Sequence, residues 1–211
     1  MNYLLPFIVG YLAAFIGLIA PSMLNMTAAK TSMEKGRKAG ILFAAGAASV
    51  VTIQAFIAVY FADKITPEVI SFLGKIAFFV LMALAFFFYS QARKKFKAEG
   101  SDKKGNTYII GMGMSSLNML AVPFYLGMAK LFESGFKIPL TDIMIQISLE
   151  SPFRYIYVVG AVLGAFSLFS IYATFAELIA KKAQFIAKNI NYILAGLFVI
   201  LAIASGVKSL M

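Results

Sequence analysis

The chain contains no cysteine, no histidine and no tryptophan. Without cysteine there are no disulfides and no thiol redox chemistry, and without histidine as well the usual zinc ligand sets are excluded. Acids are also scarce, with nine Asp and Glu against 19 Lys and Arg in 211 residues. No cluster of carboxylates is available for acid/base or metal chemistry, and no GxxxxGK[ST] loop is present to cradle a nucleotide phosphate. Neither a cofactor nor a metal is therefore expected. Charged residues of all kinds amount to only 13% of the chain.

What fills the chain instead is apolar. Hydrophobic residues reach 61% and the mean hydropathy is +0.87, whereas a soluble domain is about half apolar and a quarter charged. Apolar runs fall at residues 3–29, 39–62, 68–90, 107–132, 153–178 and 189–207. Each suffices to cross a hydrocarbon core of ~30 Å at ~1.5 Å rise per residue. The expectation is an all-α integral membrane protein of six transmembrane helices, a single domain over residues 1–211. The first run carries no basic residues ahead of it and reads as a retained helix rather than a cleaved signal.

The loops alternate in charge. Lys30, Lys35, Arg37 and Lys38 follow the first run, six Lys and Arg between positions 93 and 104 follow the third, and Lys181, Lys182 and Lys188 follow the fifth. The second and fourth connections are balanced, with Asp63, Lys64 and Glu68 in one and Glu133, Lys137, Asp142, Glu150 and Arg154 in the other. The positive-inside rule puts the odd loops in the cytoplasm and both termini outside. It also accounts for the net charge of +10 without nucleic acid; the lipid bilayer is the partner. Segment 138–150 is too short and polar to span and suggests an interfacial helix or an outer cap.

Ser22-Met-Leu-Asn-Met26 recurs as Ser115-Ser-Leu-Asn-Met119, each copy in the first run of a three-run half. Three spans per half is an odd number, so the halves (about 1–97 and 105–211) would be inverted relative to each other. Pro21 and Pro123 mark a break in each repeated run. Inverted repeats with broken helices are a hallmark of secondary transporters.

These residues resemble the LysE/RhtB superfamily of amino-acid exporters. The first helix of that family ends in Pro-Gly-Pro and is followed by a Gly-Arg-x-x-Gly loop; here stand Pro21, then Gly36-Arg37-Lys38-Ala39-Gly40, then Gly46. Its fourth helix has a glycine, small residues and Asn-Pro-Lys; Gly111, Gly113, Ser115, Ser116 and Asn118 are similar, and Gly196 sits at the small-residue centre of the last helix. The likeness covers all six runs. It departs at Pro21-Ser22-Met23 and at Asn118-Met119-Leu120, where the family's second and third motif residues are replaced. The resemblance implies export of amino acids or related small metabolites across a prokaryotic cytoplasmic membrane by proton antiport. A membrane enzyme and a non-transporting scaffold or subunit are the competing classes.

The candidate substrate-binding residues are Asn25, Asn118, Ser22, Ser115, Ser116 and Gln54, polar groups in apolar helices; the plainer reading is interhelical hydrogen bonding. Glu177 and Lys75 are candidates for proton or charge coupling, against a surface pair of Glu177 with Lys181 and a snorkelling Lys75. Gly36 and Gly40 are candidate gate or hinge positions. Gly160 and Gly164 form a small-xxx-small pair suited to a tight crossing, within the bundle or between the protomers of a homodimer.

Overall fold

A computed structural model describes residues 3–20, 22–62, 64–92, 105–118, 120–138 and 142–210. It is mostly helical. In chain order the helices are α1 (Leu4–Gly17), α2 (Met23–Lys35), α3 (Arg37–Ala62), α4 (Pro67–Ala92), α5 (Thr107–Ser116), α6 (Ala121–Glu133), α7 (Phe153–Thr174) and α8 (Ala176–Leu210). Helices α3 and α7 are each long and apolar enough to cross a membrane. The pair α5 and α6 meets that test as one unit bent by 68°, and shorter apolar stretches lie at Leu4–Gly17, Phe78–Phe87 and Asn191–Ile203.

The run at 3–29 is thus two helices, α1 and α2, and that at 107–132 is likewise α5 and α6. The first interruption spans Leu18 to Ser22 and the second Leu117 to Leu120. Ser22 closes the first as the N-cap of α2, its hydroxyl accepting from the amide of Asn25 at 3.3 Å. Pro123 does not itself break the chain: it lies in the first turn of α6, where a missing N–H removes no intrahelical bond. Pro21 lies outside the described residues.

Packing is built from small residues, which let helix backbones approach closely. Helix α1 runs along α7, α5 runs along α3, and α3 and α7 pack on each other. At the α1–α7 crossing, an added Cβ on Gly10 would strike the carbonyl oxygen of Tyr157, one on Gly160 that of Phe7, and one on Gly164 that of Tyr11. At the α3–α5 crossing, Gly46 abuts the Tyr108 carbonyl and Gly111 that of Phe43. The Gly160 and Gly164 pair therefore serves a crossing inside this chain. Buried alanines such as Ala44, Ala47, Ala55, Ala58, Ala161 and Ala165 continue these contacts.

Helix α4 packs along α8, which rests on α2 and touches α7. The segment carrying Lys181, Lys182 and Lys188 continues α8 rather than forming a loop. In the region expected as an interfacial helix or an outer cap, the described residues are not helical. Strands β1 (Phe136–Lys137) and β2 (Met144–Ile145) pair antiparallel, and the chain then runs extended, burying Ile147 and Leu149 in the core cluster. The amide of Ile147 donates to the Phe132 carbonyl at 3.1 Å, tying this cap to the end of α6.

Candidate functional site at the helix breaks

Interrupting a helix in an apolar surrounding frees backbone carbonyls that must find donors. At the first break three consecutive carbonyls are satisfied by side chains. The Nδ2 of Asn25 donates to Leu18 at 2.6 Å and to Ala20 at 2.9 Å. The carbonyl between them, on Ile19, accepts from the Tyr172 hydroxyl at 2.7 Å. Asn25 belongs to α2 in the same half, whereas Tyr172 reaches across from α7.

The second break is served from the other direction. Gln54, in α3, donates through Nε2 to the carbonyl of Ser115, the penultimate residue of α5, at 3.0 Å. The same carbonyl takes the backbone amide of Asn118 at 3.0 Å, and the Asn118 carbonyl takes that of Ala121 at 3.2 Å. One turn of backbone thus bridges α5 to α6. A second link joins α3 to α5 near the start of α5, where the hydroxyls of Ser49 and Tyr108 lie 2.7 Å apart.

No protein-family model, curated protein or solved structure matches this chain.

The amide orientations at the breaks follow from their partners. A carbonyl oxygen accepts and never donates, so the atoms of Asn25 and Gln54 that face carbonyls are their nitrogens. Their oxygens, Oδ1 and Oε1, are buried and meet no donor among the described residues. Asn25 is 0% exposed and Gln54 7%. An orphaned acceptor at such depth is costly and marks a place for a further donor.

The candidate residues separate clearly. Ser22, Asn25, Gln54 and Ser115 line the breaks, Ser115 through its carbonyl. Asn118 is in the second break itself, half-buried, its main chain shaping the turn. Ser116 is exposed and donates to Met112 of its own helix at 2.9 Å. The repeated Ser-x-Leu-Asn-Met element is out of step with the geometry. Ser22 and Asn25 open the helix after the first break, whereas Ser115 closes the helix before the second.

Glu177 lies in the first turn of α8 and is exposed, because α7 ends at Thr174 instead of continuing to Leu178. An acid there meets the positive end of the helix dipole. Lys75 stands about two turns into α4; its side chain is outside the described part. Gly36 joins α2 to α3 with φ +88°, a backbone state natural only to glycine. Gly40 is close-packed, with Ser32 and Ala173 where a Cβ would go.

The residue undervalued by sequence reasoning is Tyr172. Its signal is depth: tyrosines near run ends are expected to anchor at an interface, while Tyr172 lies deeper in its run. Among the described residues the buried polar side chains are Asn25, Thr27, Thr31, Ser32, Gln54, Thr107 and Ser115. Every one is uncharged. The site combines carbonyls, amides and hydroxyls, and so can bind and orient a small polar molecule.

Proposed function

We propose that this chain is a secondary transporter that exports amino acids or related small metabolites across a prokaryotic cytoplasmic membrane. In this reading it is built from two inverted three-helix halves, with both termini outside and the basic loops inside. One observation carries the proposal: each half supplies the donor for the other half's broken helix, Tyr172 for Ile19 and Gln54 for Ser115. The pairing of α1 with α7 and of α5 with α3 repeats the exchange at the level of helices.

Such reciprocity suits alternating access. A break held by the opposite half opens or closes when the halves rock, and two equivalent breaks permit two states of comparable energy. The resemblance to the LysE/RhtB exporters points the same way and supplies the substrate class. Among the described residues the proton antiport it implies finds no buried carboxylate to work through, and Glu177 is exposed.

The test is counterflow in proteoliposomes loaded with a panel of amino acids, with and without an imposed pH gradient. Saturable exchange of at least one amino acid is expected. No flux of any member of the panel would sink the proposal and leave a membrane enzyme and a scaffold or subunit as the surviving classes.

A further inference from the structure

Helices α2 and α6 hold equivalent places, each following a break and each 13 residues long. Their contacts with the body of the bundle correspond one for one. Helix α2 packs on α7 and touches α5, and α6 packs on α3 and touches α1. The correspondence fails at the pair formed by α4 and α8. Helix α2 rests on α8, yet among the described residues α6 has no comparable packing on α4. A second inequality, the packing of α2 on α3, has a local cause, since only Gly36 separates those two helices.

Burial divides the same way. With Met23 set on Ala121, Thr27 matches Tyr125 and Thr31 matches Ala129, and all four are buried. On the other face Asn25 matches Pro123 and Ala29 matches Gly127. Asn25 and Ala29 are fully buried, whereas Pro123 and Gly127 are exposed. An added Cβ on Gly127 would meet nothing within 4 Å. A helix face made of proline and glycine is shallow, and lets a second helix or a bulky side chain come close.

Helix α4 carries the complementary relief. Phe72, Phe79 and Phe86 recur at heptad spacing and so share one face, and they are 60%, 71% and 74% exposed. In the orientation proposed above, α4 starts and α6 ends on the outer side, which puts Phe72 and Gly127 in the outer halves of their spans. A face of α6 covered only by lipid would leave the two halves permanently unequal. An exchange of contacts makes them equal in turn, which is what two states of comparable energy require.

We infer that this arrangement is the inward-closed, outward-open member of a pair of states, and that α6 is the outer gate. The gate closes when the Pro123 and Gly127 face seats against α4 around Phe72 while α2 leaves α8. This rests on the transporter reading and its orientation. It also assigns the moving parts. The crossings of α1 with α7 and of α3 with α5 bring backbone against backbone at Gly10, Gly46, Gly111, Gly160 and Gly164, and they stay fixed. The α4–α8 pair tips between α2 and α6.

The chain has no native cysteine, so introduced thiols test this in the full chain without reference to flux. Gly127→Cys sits in open space, and Ser32→Cys is nearly isosteric at a buried position of α2; an unchanged elution profile in detergent confirms that each variant folds. With a charged, membrane-impermeant maleimide, Gly127→Cys is expected to react from outside at least tenfold faster than Ser32→Cys reacts from the cytoplasmic side. Copper phenanthroline is expected to cross-link Gly127→Cys with Phe72→Cys. When Ser32→Cys is added to that pair, its cytoplasmic labelling should rise at least tenfold on cross-linking and fall back on reduction. Labelling of Gly127→Cys by a membrane-permeant maleimide alone marks a lipid-facing helix and overturns the inference. No labelling, labelling from the cytoplasmic side, equal labelling of the two reporters, absence of the cross-link, or a cross-link that leaves Ser32→Cys protected overturns it as well. Each of these outcomes leaves the transporter reading to the counterflow panel, which decides it separately.

Discussion

The hydroxyl of Tyr172 donates to the carbonyl of Ile19 at 2.7 Å across a sequence separation of 153 residues. This bond fastens the second half of the chain to the interruption in its first helix. Tyr172→Phe removes only the hydroxyl, which also neighbours the Asn25 side chain, and leaves the Ile19 carbonyl without that partner. The expected cost is about 1 kcal/mol, the usual scale of an interhelical hydrogen bond in a bilayer. Reversible unfolding in mixed micelles measures it, and an unchanged stability would show that water replaces the hydroxyl.

Gln54 and Tyr172 perform equivalent tasks on opposite breaks. If they act as a matched pair, Gln54→Leu and Tyr172→Phe should slow exchange with opposite sidedness, one impairing release and the other uptake. Sided counterflow on oriented vesicles reads this directly. Equal impairment in both directions by each variant would show that the bonds merely hold the bundle together.

The glycines divide into two groups with opposite expectations. Gly46→Leu drives a side chain into the Tyr108 carbonyl and so wedges α3 from α5; an overpacked crossing costs about 1–3 kcal/mol or more. Gly113→Ala and Gly196→Ala meet nothing within 4 Å, and each is expected to be neutral or slightly stabilising through helix propensity. Thermal inactivation in detergent ranks them.

Gly36→Ala is a third kind of case. Space around it is empty, but φ of +88° penalises any Cβ, so a loss of about 1–2 kcal/mol is expected. If Gly36 also flexes during the transport cycle, exchange falls further than stability does, and comparing the two separates a hinge from a static corner.

Because the native chain has no cysteine, single-cysteine variants report topology without background. A cysteine replacing Lys35 should react with an impermeant maleimide only from the cytoplasmic side, and one replacing Asp142 only from outside. The reverse pattern would invert the proposed orientation.

Much of this architecture is legible in the sequence, and for a simple reason. A segment surrounded by apolar material must be apolar along its whole length, so α3 and α7 begin within two residues of the runs that announce them. Hydropathy is blind to what happens at a break. It cannot tell that Ser22 caps a helix while Ser115 ends one, and it therefore makes the two Ser-x-Leu-Asn-Met copies look equivalent. It misses the start of α8 for a related reason: lysines stop an apolar run but do not stop a helix. The extended cap through Ile147 and Leu149 escaped because short extended segments carry no periodicity. At the site, the buried amides stood out as polar anomalies. Their acceptor partners did not, because a backbone carbonyl has no signature in the side-chain alphabet, and Tyr172 needed the fold to bring it to Ile19.

The fastening of Ile19 by Tyr172 has a consequence for how the protein is made. Ribosomes add about 5–20 residues per second, so Tyr172 follows Ile19 by roughly 8–30 s. Over that interval the first half carries a carbonyl whose cross-half partner does not yet exist. The nascent chain must keep the interruption near water or a chaperoning surface until α7 arrives. Biogenesis, and not only the finished bundle, is thereby constrained to treat the two halves as one unit.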